Sequence, residues 1–249
     1  MPRSTPTRLA AACALVLAVS AVLVPAVSAK GFAVDLRVVG KGGKVLTETT
    51  VRTATTKVKT SSKAVCFGPG SGGSGKQVSI TGNTAMGVLA RGAETTPAIR
   101  PLLISDHFDF GLALCGVGGS VASGKASWYL KIDHKSQSVG GDQAKVKAGQ
   151  EVLWDLAPSY PYPNELALQA PARVTAGMPF TVRAFSYDEK GKRKPAAGVK
   201  ILGAAGLTGS DGKAQVTLST PKRLGAVKSG EIPAARVPVC VGRKCPGKG

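Results

Sequence analysis

The chain has 249 residues, of which 33 are Lys or Arg and 14 are Asp or Glu, so its formal net charge is +19. This length allows one or two domains, and beyond residues 9–27 no stretch is apolar enough to span a bilayer. The basic residues are scattered apart from a cluster at 190–194, which favours a solvated basic surface over a nucleic-acid site. Outside a cell, such a charge favours anionic wall polymers or phospholipid headgroups as partners.

Residues 1–29 have the features of a secretory signal peptide. Arg3 and Arg8 precede an apolar run at 9–27, and Pro25 with the small residues after it favours cleavage over a membrane anchor. Cleavage leaves 31 basic and 14 acidic residues, a net charge of +17. The composition, rich in Ala, Val and Gly, is typical of a bacterial protein. We therefore expect a secreted, extracellular protein, associated at most loosely with the cell wall and without a membrane span.

Four cysteines follow the predicted cleavage site: Cys66, Cys115, Cys240 and Cys245. An even number in an exported chain predicts disulfides, and three pairings are possible. We favour Cys66–Cys115 and Cys240–Cys245, because each pair falls within one predicted domain. The first bond closes a loop of about 50 residues, worth about 4 kcal/mol in the chain-entropy model. The paired Cys-x-x-Cys spacing of a zinc site is missing, so no metal is predicted.

The first half of the chain begins with a predicted hairpin and contains one predicted helix. Residues 31–39 alternate between apolar and polar, with Arg37 on the polar face, which predicts a half-buried strand. Residues 45–59 are rich in Thr and Val and predict the second strand. Asn83 or Thr84 can cap a helix over residues 84–91. The glycine-rich segment 68–75 is predicted to be a flexible loop, since a phosphate-binding loop would end in Gly-Lys-Ser/Thr.

An acidic and histidine cluster follows, at Asp106, His107 and Asp109. The alternation of aromatic and apolar residues over 108–112 predicts that it lies along one strand. A metal site there needs further ligands from elsewhere in the chain, and acid–base chemistry needs a positioned partner. We interpret the cluster as a polar strand face.

Residues 127–156 carry the most informative pattern of the chain. Trp128, Leu130 and Ile132 alternate with Ser127, Tyr129 and Lys131, which predicts a strand. A glycine-rich crossing and a second strand ending at Trp154 follow. We expect Trp128 and Trp154 to share one core, because tryptophan is highly buried on average.

Three segments of this stretch resemble the transcobalamin-like C-terminal domain family of secreted proteins. They are Ser-Trp-Tyr at 127–129, Val-Gly-Gly-Asp-Gln at 139–143 and Lys-Ala-Gly-Gln-Glu-Val-Leu-Trp at 147–154. The resemblance covers about residues 32–156 and implies a β-grasp-like α+β domain over 30–157, with one helix crossing a mixed sheet. The sequence departs from the family at 133–135, where Asp-His-Lys replaces an Asn-Gly turn.

The same resemblance raises cobalamin as a cofactor. In the vertebrate members of the family, this domain caps a cobalamin that is held against a second, helical domain. This sequence has no counterpart of that helical domain, so cobalamin is implied by the resemblance only and the residues themselves indicate no cofactor.

A Pro/Tyr linker at 158–164 precedes a second predicted domain at 165–249. Short strands with turns between them predict a small β-sandwich, and the predicted strands lie at 165–169, 179–187, 199–202, 212–218, 225–228 and 236–241. The cluster at 190–194 is expected in a hairpin turn. Segments 176–182, 195–201 and 208–218 resemble bacterial Ig-like or prealbumin-like surface modules, which implies a presenting or spacing role.

These features predict a mainly β, secreted binding protein that is not an enzyme. It lacks Gly-x-Ser-x-Gly and His-Glu-x-x-His and has two histidines, so no catalytic set is recognised. The expected ligand is a small polar molecule or a protein partner at the first domain. The predicted binding residues are Tyr129, His107, Asp106 and His134, which offer an aromatic surface and groups of changeable charge. The alternative is a structural or interaction protein of the bacterial cell envelope that binds anionic wall polymers.

Overall fold

The structure is a computed structural model that describes Met1 and residues 31–247. The predicted signal peptide lies outside the described residues. Residues Gly31–Gly249 form one compact unit, and its described part is mainly β with one α-helix. No helix within 31–247 is both long and apolar enough to cross a membrane. Below, residues 31–157 are called the first module and residues 165–247 the second module.

The first module contains ten strands and the helix α1 (Ala85–Thr95). The strands are β1 (Ala33–Val39), β2 (Val45–Arg52), β3 (Thr56–Lys59), β4 (Gln77–Ile80), β5 (Leu102–Phe108), β6 (Gly111–Val117), β7 (Ser120–Val121), β8 (Ser127–Ile132), β9 (Lys135–Ser136) and β10 (Glu151–Ala157). Five of them form a mixed sheet in the order β2-β1-β10-β8-β9, in which β1 and β10 run parallel. The strands β5, β6 and β7 form a separate antiparallel sheet, and β3 pairs with β4.

The helix packs against the mixed sheet and builds the core of the first module. Of the two predicted caps, Thr84 is the residue that caps it, because its side-chain oxygen accepts a hydrogen bond from the Gly87 N–H at 3.1 Å. A Cβ on Gly92 would lie 2.5 Å from Leu36 Cδ2, so the helix can approach β1 this closely only through a glycine. Trp154 lies in this core and Trp128 packs against it, which confirms that the two tryptophans share one core.

Two predicted strands are divided in the structure. The segment 45–59 breaks after β2, and its last part, β3, pairs with β4 instead of β1. The segment 102–112 folds back as the hairpin of β5 and β6, with Phe108 opposite Gly111. Asp109 therefore lies in a turn and not on one strand face with His107, so the predicted continuous polar face is wrong.

The second module consists of two four-stranded sheets that share one core. Its strands are β11 (Glu165–Gln169), β12 (Arg173–Val174), β13 (Pro179–Tyr187), β14 (Arg193–Pro195), β15 (Lys200–Leu202), β16 (Lys213–Thr217), β17 (Lys222–Val227) and β18 (Val237–Val241). One sheet joins β11, β14 and β16 to β13, and the other has the order β12-β18-β17-β15. The basic cluster 190–194 spans the turn between β13 and β14, as predicted.

Two disulfides form with the predicted pairing. Cys66 is bonded to Cys115 beside β6, and Cys240 is bonded to Cys245 at the end of β18. Such bonds persist in an oxidising environment. The location of the protein outside the cell and the domain boundary at 158–164 stay predictions.

Candidate binding groove between the two modules

The four predicted binding residues lie in two separate places. Asp106 and His107 are on β5, where the Asp106 carboxylate accepts hydrogen bonds from the Ser74 N–H and hydroxyl, each at 2.6 Å. These bonds lower the pKa of Asp106 and hold the glycine-rich loop 68–75 against β5. The His107 ring contacts Phe108 edge to face. Asp106 thus has a structural role in this arrangement.

Tyr129 and His134 lie instead where the first module meets the linker and the second module. The Tyr129 ring stacks on Tyr162 at 3.6 Å between centroids, and the His134 ring stacks on Tyr187 at 3.9 Å. His134 Nδ1 is also 2.9 Å from Glu165 Oε1. No hydrogen bond or ring contact in the described part of the chain joins this pair to Asp106 and His107, so these four predicted residues do not form one binding site.

A buried cluster of four charged side chains fills the contact between the modules. Arg37, Lys131, Asp155 and Glu165 are 2%, 1%, 5% and 0% exposed, and we call them the ion cluster. The prediction of a half-buried strand with Arg37 on its polar face is wrong about the burial of Arg37, and Lys131 is buried in the same way. The second module covers part of that face of the mixed sheet, so Arg37 and Lys131 are buried, whereas Asp35 on the same face of β1 is exposed.

Arg37 and Glu165 connect the modules directly. The Arg37 Nε donates to Glu151 of the first module at 2.8 Å, while its two terminal nitrogens donate to Glu165 and to the Pro233 carbonyl of the second module. Lys131 Nζ lies 3.9 Å from Glu165 Oε2. Neither of these two atoms has a hydrogen-bond partner within the described residues, so Arg37 and His134 provide the hydrogen bonds that Glu165 receives.

The ion cluster shifts the pKa values of its members in different directions. Burial raises the pKa of Asp155 to about 7, although the charges of Lys131 and Arg37 act to lower it. Burial also lowers the pKa of Lys131 against the attraction of Glu165 and Asp155. For Glu165, burial acts to raise the pKa, but the hydrogen bond from His134 and the charge of Arg37 outweigh it and lower the pKa. Glu165 is therefore the permanent anion of the cluster, and Asp155 is neutral below about pH 7.

Asp155 also forms part of a groove of about 950 Å³ between the modules. The loop after β1, the segment from β7 to β8, and the end of β10 with the linker form one side. Strand β15 and the turn at 228–233 form the other. The apolar side chains of its walls are Val121, Leu156, Pro158, Pro163, Val227, Ile232 and Pro233, and its charged side chains are Lys41, Lys125, Lys200, Lys228, Asp155 and Glu231.

The groove carries an excess of positive charge. Lys41, Lys125 and Lys200 are exposed, and none of the ion pairs found among residues 31–247 includes them. Lys228 pairs with Glu231 at 3.2 Å, and Glu231 also accepts a hydrogen bond from the Ser186 hydroxyl at 2.7 Å. The charge of Glu231 is thus compensated locally, which leaves three lysines facing a groove whose other carboxyl, Asp155, has a pKa near 7.

A second cleft of about 510 Å³ lies beside Arg37 and is lined by side chains of both signs, including Glu48, Glu151 and Arg236. Glu151 accepts a hydrogen bond from the Arg37 side chain, and the Glu48 carboxylate accepts one from the backbone N–H of Arg236 at 3.3 Å. The cationic and anionic side chains of this cleft balance each other, so it carries no excess of one sign of charge, unlike the groove.

Sequence reasoning missed the groove because its residues come from five separate segments of the chain. Only strand β10 carried a sequence signal that pointed to the groove. Asp155 interrupts the apolar run of β10, whose residues from Val152 to Ala157 are all buried. A carboxyl in such a run must be buried as well, and a buried carboxyl is costly unless it is paired or neutral.

Comparisons of the chain with protein-family models, with curated proteins and with solved structures gave no match. Within the described residues, no group of three or more His, Cys, Asp or Glu side chains is arranged to hold a metal ion. The groove is therefore the feature of this chain that bears most directly on function.

Proposed function

We propose that this chain is a secreted, non-enzymatic binding protein that holds a small ligand in the groove between its modules. The first module would be β-grasp-like and related to the transcobalamin-like C-terminal domains, and the second would be Ig-like or prealbumin-like. A mixed sheet with a parallel central pair and one packed helix supports the first assignment. Two sheets over one core support the second.

The groove is the observation that carries this proposal. Its volume of about 950 Å³ is at the upper end of the range of about 300–1,000 Å³ that is typical of small-ligand sites. Its walls are mostly apolar and a few charged groups converge on it, as in such sites. It lies between structural units, where ligand sites are frequently found.

Binding fits the groove better than catalysis does. A carboxyl with a pKa near 7 in a cleft is a feature of general acids and bases, and Asp155 has this property. However, neither histidine lines the groove, and Glu231 is held by Ser186 and Lys228. The described residues therefore place no free imidazole or second free carboxyl in the groove beside Asp155.

A thermal-shift screen of small molecules against the secreted protein tests the proposal. Val121 lies in the wall of the groove and is 45% exposed, and Val139, outside the groove, is 48% exposed. A Val121→Trp variant should fill the groove, while Val139→Trp is the matched control. We expect a ligand that raises the melting temperature of the wild type and of Val139→Trp but not that of Val121→Trp. If no molecule in the screen raises the melting temperature in a way that is lost in Val121→Trp, the proposal is contradicted.

One further observation favours the alternative of an envelope protein that binds anionic wall polymers. Lys190, Lys192, Arg193 and Lys194 are exposed on the turn between β13 and β14. A polyanion held by exposed charges is released as salt screens them, with a screening length of about 8 Å at physiological ionic strength. This alternative expects retention on isolated cell walls that falls steeply with salt. Retention unchanged from low to high salt, or equal when the four residues are replaced by Gln, speaks against it.

A further inference from the structure

We propose that the ligand of the groove is an anionic amphiphile, with an acidic headgroup at the lysines and an apolar body along the walls. This inference rests on the proposed function and specifies the class of ligand. It follows from two properties of the groove that occur together, namely unpaired positive charge and predominantly apolar walls.

The headgroup is specified by charge. Lys41, Lys125 and Lys200 approach the groove from the loop after β1, the segment before β8 and strand β15. Three cations from three elements surround one space, and the other cation of the groove, Lys228, is already paired with Glu231. An anion can therefore be bound without breaking an existing ion pair, whereas a cationic headgroup would meet repulsion.

The body is specified by the apolar walls and by size. Leu156, Pro158 and Pro163 lie on one side, and Ile232 and Pro233 on the other. A free inorganic anion would leave most of the space of about 950 Å³ to water, because a water molecule occupies about 30 Å³ in the liquid. An apolar chain attached to the anion removes that surface from water, which contributes about 25 cal/mol per Å² buried.

Isothermal titration calorimetry with four probes tests the class of ligand. Decyl phosphate is the anionic amphiphile, decyl maltoside and decyltrimethylammonium are the neutral and cationic analogues, and inorganic phosphate is the headgroup without a chain. The amphiphiles are used below their micelle concentrations. We expect decyl phosphate to bind at least about tenfold more tightly than each of the other three. Against the neutral and cationic amphiphiles this ratio is consistent with a few exposed charge pairs, and against inorganic phosphate it results from burial of the apolar chain.

Variants then assign the binding to the groove. Lys41→Gln with Lys200→Gln should weaken the binding of decyl phosphate about five- to tenfold. The matched control is Lys63→Gln with Lys147→Gln, which removes the same charge from exposed positions outside the groove. Val121→Trp should abolish the binding. Equal weakening by the two double variants overturns the inference.

The remaining outcomes separate the class of ligand from the proposed function. If the neutral and anionic amphiphiles bind equally and Val121→Trp abolishes both, the anionic class is wrong and binding in the groove stands. If inorganic phosphate binds as tightly as decyl phosphate, the proposal that an apolar part of the ligand contributes to binding is wrong. If none of the four probes binds in a way that depends on Val121, this inference is overturned, and the small-molecule screen decides separately whether the groove binds a ligand.

Discussion

Asp155 shows how one residue makes the contact between the modules depend on pH. Its carboxyl is buried beside Lys131 in the central region of the mixed sheet, and its pKa rises to about 7 from the ordinary value of 3.8. Between these two pH values the folded protein keeps a proton that the unfolded chain releases. The unfolded chain then binds fewer protons, so the contribution of Asp155 to stability falls as pH rises through this window and is constant above it.

An Asp155→Asn variant isolates this effect. The shift of about three pKa units corresponds to at most about 4 kcal/mol, at about 1.4 kcal/mol per unit. We expect the variant to match the wild type near pH 4 and to be more stable near pH 8, because Asn keeps the shape and never ionises. Urea unfolding at several pH values measures the difference. Lys131, Arg37 and Glu165 face the same site, and the variant retains all three. A difference in stability that does not change with pH contradicts the prediction.

At the scale of single residues, the sequence predicted orientation and not burial. Alternation correctly placed Arg37 and Lys131 on the polar face of their strands, opposite Leu36 and Leu130. It could not show that the second module covers this face, because a period of two reports which residues share a side and not what lies on that side. The same limit explains Tyr129, whose partner Tyr162 comes from the linker.

Among the elements, the β8–β9 hairpin has an unusual turn. Ile132 pairs with Lys135, so Asp133 and His134 form a two-residue loop, with φ of 47° and 69°. Two positive φ angles are typical of a type I′ turn, which favours Asn-Gly. The left-handed conformation costs a residue with a Cβ roughly 1–2 kcal/mol. The contacts of His134 with Glu165 and Tyr187 of the second module offset this cost.

A His134→Gly variant sets these two effects against each other. Glycine relieves the strain of the turn, but the variant loses a hydrogen bond to a buried carboxylate, worth about 1.5–3 kcal/mol. We expect a net loss of roughly 1 kcal/mol in the free energy of unfolding. A double-mutant cycle with Tyr187→Ala should give a coupling of about 0.5–1.5 kcal/mol for the ring contact. If His134→Gly stabilises the protein and the coupling is zero, the turn is not held by the second module.

The elements themselves were predicted more accurately where local signals determine them. Thr84 begins the helix as a cap, and the glycine crossing at 140–142 meets its first turn, where the Gly141 carbonyl accepts the Met86 N–H at 2.8 Å. A Cβ on Gly141 would lie 2.5 Å from the Trp154 ring, so glycine is needed here for packing and the crossing has a structural role. The sequence did not reveal the hairpin at 108–111. Phe108 and Phe110 alternate with polar residues through the turn just as they would along a single strand.

In the whole molecule, the ion cluster joins two cores that are otherwise separate. Each module has its own apolar core, and only a small cluster of Val39, Leu153 and Ile232 connects them within the described residues. Arg37 spans the contact, because its guanidinium binds Glu151 on one side and Glu165 with the Pro233 carbonyl on the other. The sequence predicts two modules, because short strands with turns between them begin after the Pro/Tyr linker. It does not predict this contact, which depends on residues more than 100 positions apart.

Arg37→Met should therefore separate the unfolding of the two modules. The substitution leaves Glu165 buried with a weakened set of partners, and breaking a buried ion pair in this way costs about 3–5 kcal/mol. Calorimetry should show one transition for the wild type and two for the variant, since the contact that couples the cores is lost. Arg91→Met is the matched control, because it removes an exposed pair with Glu94 that is worth at most about 1 kcal/mol.

A triple variant distinguishes the loss of charge pairing from the loss of packing at the same site. Arg37→Met combined with Lys131→Met and Glu165→Leu removes both the cations and the anion that Arg37→Met leaves unpaired. Apolar replacement of a buried ion pair or triad is often neutral or stabilising. Asp155 stays in this variant and is neutral below its pKa of about 7, so at pH 6 we expect most of the stability and the single transition to return. If the triple variant is as unstable as Arg37→Met, the side-chain hydrogen bonds of the cluster are what hold the modules together. If Arg37→Met itself unfolds in one transition at the wild-type temperature, the apolar contact at Ile232 is sufficient and the ion cluster does not couple the cores.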